Sequence, residues 1–235
     1  MEQLQDIEIR VATHLDTHYA MRITDEMEQS AKARGTGIAK RSPEYIAEKM
    51  LENKAVIAVT KLGQWVGFCY IETWGHGEYV ANSGLIVSPE YRKSGVAKAI
   101  KARVFQLSRE RYPEAKIFGL TTGLAVMKIN SELGYEPVTY SELTQDEAFW
   151  AGCKSCVNYE ILMSKDRKNC MCTAMLYDPK DHYEPQETKD YFEKKKKVFE
   201  RLLHVKQVGF LKKLLRRDKH SGGSASSLIR FFFKP

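Results

Sequence analysis

Apolar positions along the chain change period several times, and each change marks an element. Continuous or alternating apolar runs predict strands at 7–13, 54–60, 64–73 and 79–88. Leu62-Gly63 reads as a hairpin turn, and Gly75-His76-Gly77 joins the next pair of strands. Helical spacing covers 15–33 and 43–53, with Ser42-Pro43 as N-cap and first helical residue of the second. The run Leu85-Ile86-Val87 stops at Pro89, and a helix opens at Ser94 or Gly95. Val96, Ile100, Val104 and Leu107 form its single buried stripe. A strand at 116–120, a helix at 124–133 and a strand at 137–140 follow. A short amphipathic piece at 145–151 then leads to expected strands at 157–163 and 171–176. An antiparallel meander feeding a strand–helix–strand–helix unit predicts a mixed α/β sandwich.

The turn between Pro89 and the helix start is the chemically loaded one. A strand, a small-residue turn and a helix N-terminus direct unpaired N–H groups and the positive end of the helix dipole at one point, which suits a pyrophosphate. Arg92 and Lys93 add positive charge, Gly95 permits close backbone approach, and Ala97 keeps the first turn thin. Neither G-x-x-x-x-G-K-[ST] nor G-x-G-x-x-G is present.

What is present is Arg92-x-x-Gly95-x-Ala97. A second element, Ile129-Asn130, precedes Leu133-Gly134-Tyr135. In this order the two resemble the [QR]-x-x-G-x-[GA] signature and the Leu-Gly-Phe-like helix end of the GNAT N-acetyltransferases, over roughly residues 7 to 163. The resemblance implies a central mixed, largely antiparallel sheet with one splayed parallel pair of strands, flanked by helices. It also implies acetyl-CoA or another short acyl-CoA as co-substrate. Leu85, Ile86 and Val87 would hold the thioester end, and Arg92, Lys93, Ser94, Gly95, Val96 and Ala97 the pyrophosphate. Asn130 would meet the pantetheine arm.

Acyl transfer to an amine needs a base, donors for the oxyanion and a proton for the leaving thiolate. The family's base is commonly a Glu on the central strands, which points to Glu72, with Glu78 and His76 as neighbours. Many relatives carry a tyrosine acid four residues before the Gly of the Leu-Gly-Phe-like element; here that position is Asn130, an amide that cannot donate a proton to sulfur. Tyr135 becomes the candidate acid, with Tyr91 and Tyr140 as alternatives. The acceptor loop in such proteins lies between the first two helices. Here it holds Lys32, Arg34, Lys40 and Arg41, and the forked donors of Arg34 and Arg41, with Lys40, suit a carboxylate. The expected acceptor is a small amine bearing a carboxylate, such as an amino acid. The whole chain also resembles the acyltransferases of bacterial arginine biosynthesis. The alternative is a catalytically silent acyl-CoA-binding or nucleic-acid-associated module.

Composition narrows the setting. Hydrophobic content of 43% and charged content of 29% describe an ordinary globular chain. No apolar run nears the ~20 residues of a membrane span, and the N-terminus has no secretory pattern, so a cytoplasmic protein without membrane contact is expected. The net charge of +7 is concentrated in 191–220, with eleven Lys and Arg against three acids. The chain therefore divides into an acyltransferase domain at 1–177 and a basic helical extension at 178–235, with a Ser/Gly linker at 221–227. The extension ends in Leu228-Ile229-Arg230-Phe231-Phe232-Phe233, an apolar end suited to a homodimer contact or a lid, in preference to a nucleic-acid arm. Of five cysteines, Cys69 reads as a core strand residue. Cys153, Cys156, Cys170 and Cys172 have a zinc-like order, but a tight hairpin of strands 157–163 and 171–176 would hold Cys156 and Cys170 on the order of 20 Å apart. Reduced thiols and no metal are therefore expected.

Overall fold

The computed structural model describes residues 6–35 and 39–182. The expected basic helices, the 221–227 linker and the apolar C-terminal end lie outside the described residues. No described helix is long and apolar enough to cross a membrane.

Strand β1 (Ile7–Val11) leads through a 3-10 turn, His14–Tyr19, into α1 (Ala20–Arg34), then α2 (Pro43–Leu51). The meander β2 (Ala55–Thr60), β3 (Trp65–Trp74) and β4 (Tyr79–Val87) follows. Helix α3 (Val96–Arg111) crosses to β5 (Lys116–Thr121), and α4 (Leu124–Glu132) leads to β6 (Glu136–Val138). Two short helices, α5 (Glu147–Ala151) and α6 (Tyr159–Ser164), precede β7 (Thr173–Tyr177). Among the described residues the sheet runs β1-β2-β3-β4-β5-β7-β6. Among the described strands only β4 and β5 pair in parallel. This is the mixed, largely antiparallel sheet with one parallel pair that the motifs implied.

The apolar runs are continuous where both faces of the sheet are covered. Residues 65–72 of β3 are all buried, because helices lie on either side. Cys69 and Ile71 pack with Val96, Ile100, Val104 and Leu107 of α3, so the expected stripe is the buried one. Phe68 and Tyr70, pointing the other way, pack with Ile23 and Met27 of α1 and Ile46 and Met50 of α2. A third cluster, with Phe118, Tyr140, Trp150 and Leu162, covers the β5–β7 half on its α5/α6 side.

One expected strand is absent. Residues 157–163 contribute to helix α6 instead. The reason is the occupancy of sheet edges: β7 pairs with β5 on one side and β6 on the other, so it has no free edge for another strand. Leu162 is buried from the helix while Ile161 and Met163 remain exposed. The tight hairpin that separated the cysteine pairs therefore does not form.

The entry to α1 is held by a partly buried ion pair. Arg10 Nη1 and Nη2 donate to the two carboxylate oxygens of Asp16 at 2.7 and 2.9 Å, and the Thr13 backbone N–H donates to Asp16 Oδ2 at 2.8 Å. Burial opposes the charge on Asp16, but Arg10 and Thr13 outweigh it and hold its ionisation below the ordinary aspartate value. A depressed carboxylate stabilises the fold above the unfolded-state pKa and loses that contribution as pH falls through the folded value. Asp16→Asn is thus expected to cost about 1–3 kcal/mol at pH 7. In urea titrations the gap from wild type should close below about pH 4, where the unfolded aspartate protonates.

Candidate active site

The site begins where pairing fails. From Phe68↔Ile86 to Tyr70↔Ser83, β3 advances two residues while β4 advances three, which is a bulge in β4. Gly84 sits in it at φ +67, and a Cβ there would lie 2.4 Å from the Tyr70 ring. A side chain is therefore excluded by both conformation and space. Beyond the bulge's neighbour, Ala81↔Phe118 is the last parallel pair between β4 and β5. From that point β5 continues to pair with β7 on its other side. The two parallel strands part, and a cavity of about 350 Å³ runs into the gap.

On the α3/α4 side the cavity is lined by Asn82, Lys101 and Asn130. Asn130 is buried, with Nδ2 3.7 Å from Met175 Sδ, and its Oδ1 has no hydrogen-bond partner. A buried acceptor without a donor is costly, so this oxygen suits an N–H group entering the gap. Asn82 Oδ1 accepts from the Tyr135 hydroxyl at 2.9 Å and from Lys101 Nζ at 3.3 Å, and its Nδ2 donates to Ser108 at 2.9 Å.

On the α1/α2 side stand Arg41, Tyr70 and Glu72. Glu72 is buried late in β3 and accepts from the Tyr45 hydroxyl of α2. Arg41 Nε donates to the Tyr70 hydroxyl at 3.0 Å, and its guanidinium lies over the Tyr45 ring, 5.2 Å from the centroid. Burial opposes the charge on Arg41, but Tyr70, Glu72 and Tyr45 together hold its ionisation above the ordinary arginine value. Burial, then the Glu72 hydrogen bond, pushes the Tyr45 phenol well up. Burial, then nearby Glu72, does the same to Tyr70. Both phenols stay protonated, and buried Glu72 and half-buried Arg41 line the same cavity wall.

The anion turn is built outside the cavity. Gly95 is the N-cap of α3 at φ +91, and no side chain caps the helix, so its first N–H groups remain available. Arg92 does not extend toward them. Its Nε donates to Val87 O at 3.1 Å, and its Nη2 meets Glu26 and Ser30 of α1, each at 2.7 Å. It ties the turn to α1, and Lys93 in the same turn is exposed.

Other expected residues are dispersed. Glu72, Leu85, Asn130 and Arg41 line the cavity. Ile86 and Val87 belong to the core on opposite faces of the sheet. Tyr135 is buried in the core behind Asn82, and burial pushes its phenol well up. Lys40 pairs with Glu28 at 3.2 Å. The Arg34 side chain lies outside the described residues. His76 is exposed in the turn before Glu78, which is exposed too.

Residues not singled out from sequence complete the wall. Tyr70 could have been found as the alternate-position partner of Glu72 on one strand face. Lys101 was visible as a charge within the buried stripe of α3, between Ile100 and Val104. Cys153, Cys156 and Cys172, which the sequence singled out only for a zinc-like order, also line the cavity. All five cysteines are free thiols. Cys156 Sγ accepts from the Asn158 N–H at 3.4 Å, and Cys170 Sγ donates to Asn158 O at 3.7 Å. Burial pushes the Cys153 thiol up to about 11 and the Cys172 thiol up to about 12. Among the described residues no group of three or more His, Cys, Asp or Glu is arranged to hold a metal ion.

Residues 24–125 match the family model described as the acetyltransferase (GNAT) family. That stretch, under half of the chain, is similar to a GNAT acetyltransferase domain. The match includes the anion turn, the bulge and Glu72, and it ends two residues into α4. Among solved structures, the chain is similar to the N-acetylglutamate synthase of Neisseria gonorrhoeae complexed with coenzyme A and N-acetyl-glutamate. The identity is 17% and the TM-score 0.52, covering 73% of this chain and 35% of that one. It therefore spans about a third of the length of that synthase. Rv2747 from Mycobacterium tuberculosis, solved with CoA, is 18% identical with a TM-score of 0.53, covering 73% of this chain and 98% of that one. At these identities the likeness shows the fold. No curated protein matches the sequence.

Thiol exposure gives a check on this arrangement. An aromatic disulfide reagent should titrate four thiols in the native protein, because Cys69 is fully buried and the other four are partly exposed. The fifth should appear only in denaturant.

Proposed function

We propose that the chain is an acyl-CoA-dependent N-acyltransferase acting on a small amine that bears a carboxylate, with the match of residues 24–125 to the acetyltransferase (GNAT) family as the general support. The observation that carries the finer reading is the cavity's position in the gap between β4 and β5, with an orphaned acceptor on one side and the Glu72–Arg41 group on the other. The residues fit an acyl-CoA: Asn130 Oδ1 lacks an N–H donor, the bulge at Gly84 leaves close backbone at the gap, and the α3 N-terminus is uncapped. Acetyl-CoA, when bound, supplies an activated carbonyl and a thiolate leaving group.

The protein's own part follows from the two walls. Backbone at Gly84 and Leu85, released from regular pairing by the bulge, polarises the carbonyl oxygen. Glu72 takes the proton from the attacking amine, with Tyr45 holding the carboxylate in place. Arg41, already oriented by Tyr70, offers its remaining N–H groups to the acceptor carboxylate. Asn130 receives an amide N–H of the thiol-bearing arm. No thiol here is set beside a base, so attack is direct, without an acyl-cysteine. A homodimer in the cytoplasm, in amino-acid metabolism, completes the reading.

The decisive experiment is thiol release from acetyl-CoA and succinyl-CoA against amino acids, polyamines and aminoglycosides. Glutamate or another acidic amine is expected to give the fastest release. Release with polyamines alone would discard the carboxylate acceptor, and no acceptor-dependent release at all would favour a silent binding module.

Two variants divide the roles. Glu72→Gln should lower kcat by roughly a hundredfold or more while the acyl-CoA KM stays within about threefold. Arg41→Ala should instead raise the acceptor KM by about tenfold or more. An acceptor KM unchanged in Arg41→Ala would remove it as the carboxylate clamp.

A further inference from the structure

Lys101 is a lysine where helices normally carry aliphatic residues. It lies on α3 in line with Ala97, Val104 and Ser108, and it is 2% exposed. Burying an ammonium without a counter-charge is strongly unfavourable unless something else uses the group. No carboxylate pairs with Lys101 among the described residues. The titratable groups facing it are the buried Cys69 of β3, whose Sγ donates to Ser83 O at 3.3 Å, and Tyr135, whose ring centroid lies 5.2 Å from Nζ. Among the described residues its one hydrogen bond is to Asn82 Oδ1 at 3.3 Å, an oxygen already receiving the Tyr135 hydroxyl. The amine thus has donor capacity left over, and it lines the cavity.

Its position relative to the gap is the second observation. A Cβ on Gly119 of β5 would lie 3.5 Å from Asn82 O and 4.0 Å from Asn130 Nδ2. Asn82, Gly119 and Asn130 therefore frame the opening between the parallel strands. Lys101 reaches Asn82 from α3, and Asn130 faces the same opening from α4. A thiol arm threading the gap passes between them. Asn130 cannot release a proton, and Tyr135 has its hydroxyl committed to Asn82 in the core.

We infer that Lys101 is the general acid of the reaction, donating its ammonium proton to the leaving sulfur of the acyl-CoA. The inference rests on the acyltransferase reading above. As the nitrogen–acyl bond forms, the acyl carbon–sulfur bond breaks and its electron pair goes to sulfur. A proton moves from Lys101 Nζ to that sulfur, giving the free thiol and a neutral amine. The proton that Glu72 took from the acceptor nitrogen then passes through the cavity they share to Lys101, which restores both the carboxylate and the ammonium. Burial lowers the Lys101 ionisation below the ordinary lysine value, with Cys69 opposing it weakly, so the buried ammonium is a readier proton donor than an exposed one.

The test has one arm free of turnover. Coenzyme A bound to the full-length protein is titrated by ultraviolet thiolate absorbance, with the desulfo-coenzyme A complex as blank for the protein's own thiols. A neighbouring ammonium should let the bound thiol ionise at a pH lower by roughly one to three than in Lys101→Met. The second arm is kinetic. Lys101→Met should lower kcat by roughly a hundredfold with the acyl-CoA KM within about threefold, and should lose the alkaline fall of the kcat profile. Lys101→Arg keeps the cation but holds its proton, so it should preserve the low thiol titration while kcat stays low. Lys101→Gln replaces Met if the latter fails to fold. Identical thiol titrations in wild type and Lys101→Met, or kcat unchanged within about threefold, would overturn the proposal and leave the acyltransferase reading standing. Wild type that releases no thiol with any acceptor would overturn both.

Discussion

Two strands that begin parallel and then cannot stay paired are the constraint from which the site follows. β4 and β5 share three residue pairs, from Tyr79↔Lys116 to Ala81↔Phe118. After that, β4 carries an extra residue at the bulge and β5 is committed to β7 through Thr121↔Thr173. Backbone N–H and C=O groups at the end of the parallel pair then face each other across space instead of bonding. Unpaired backbone in a protein interior is unfavourable unless water or a ligand satisfies it, so the split sheet holds a cavity rather than a packed core.

The surrounding architecture keeps that gap open. α3 is anchored beneath β3 and β4 by Val96, Ile100, Val104 and Leu107. On the far side, α5 and α6 pack Trp150 and Leu162 against Phe118 and Leu176. Replacing any of these large side chains by Ala would cost about 2–5 kcal/mol, which makes closing the gap by local collapse unfavourable. Gly84 acts more directly. Its left-handed backbone and the Tyr70 ring leave no room for a side chain, so the bulge and the Tyr70–Arg41 pair stand or fall together.

Much of the scaffold was legible because its signals are local. The α3 stripe, the Ser42 cap, the turn at Gly63 and the meander all depend on residues a few positions apart, and each stands where its pattern placed it. The failure at 157–163 is instructive in physical terms. A short apolar run carries no information about which sheet edges are free, and β7 had both edges taken. The site was legible only in part for the same reason. Glu72 and Asn130 could be named from motifs, but the bond from Tyr45 to Glu72 joins α2 to β3, and three cysteines at the cavity wall come from segments that only tertiary packing brings together. Arg92 shows the converse: its place in the motif is right, yet its guanidinium is spent on Glu26 and Ser30 of α1, where it fixes the turn's position.

On the proposed reading, the sheet also separates two protonation tasks that would interfere if they shared a space. Glu72 and Arg41 stand on the face covered by α1 and α2, whereas Lys101, Asn82 and Asn130 stand on the face covered by α3 and α4. A carboxylate within contact of Lys101 would neutralise it as an ion pair and hold its proton more firmly. With β4 and β5 between them, the carboxylate stays available as an acceptor and the ammonium stays destabilised by burial, readier to give its proton away. On the proposed reading, substrates enter from opposite faces and meet in the one place where the sheet is split. The geometry that leaves backbone unpaired is then also what lets a base and an acid, kept apart by the strands, act on the two ends of one reacting bond.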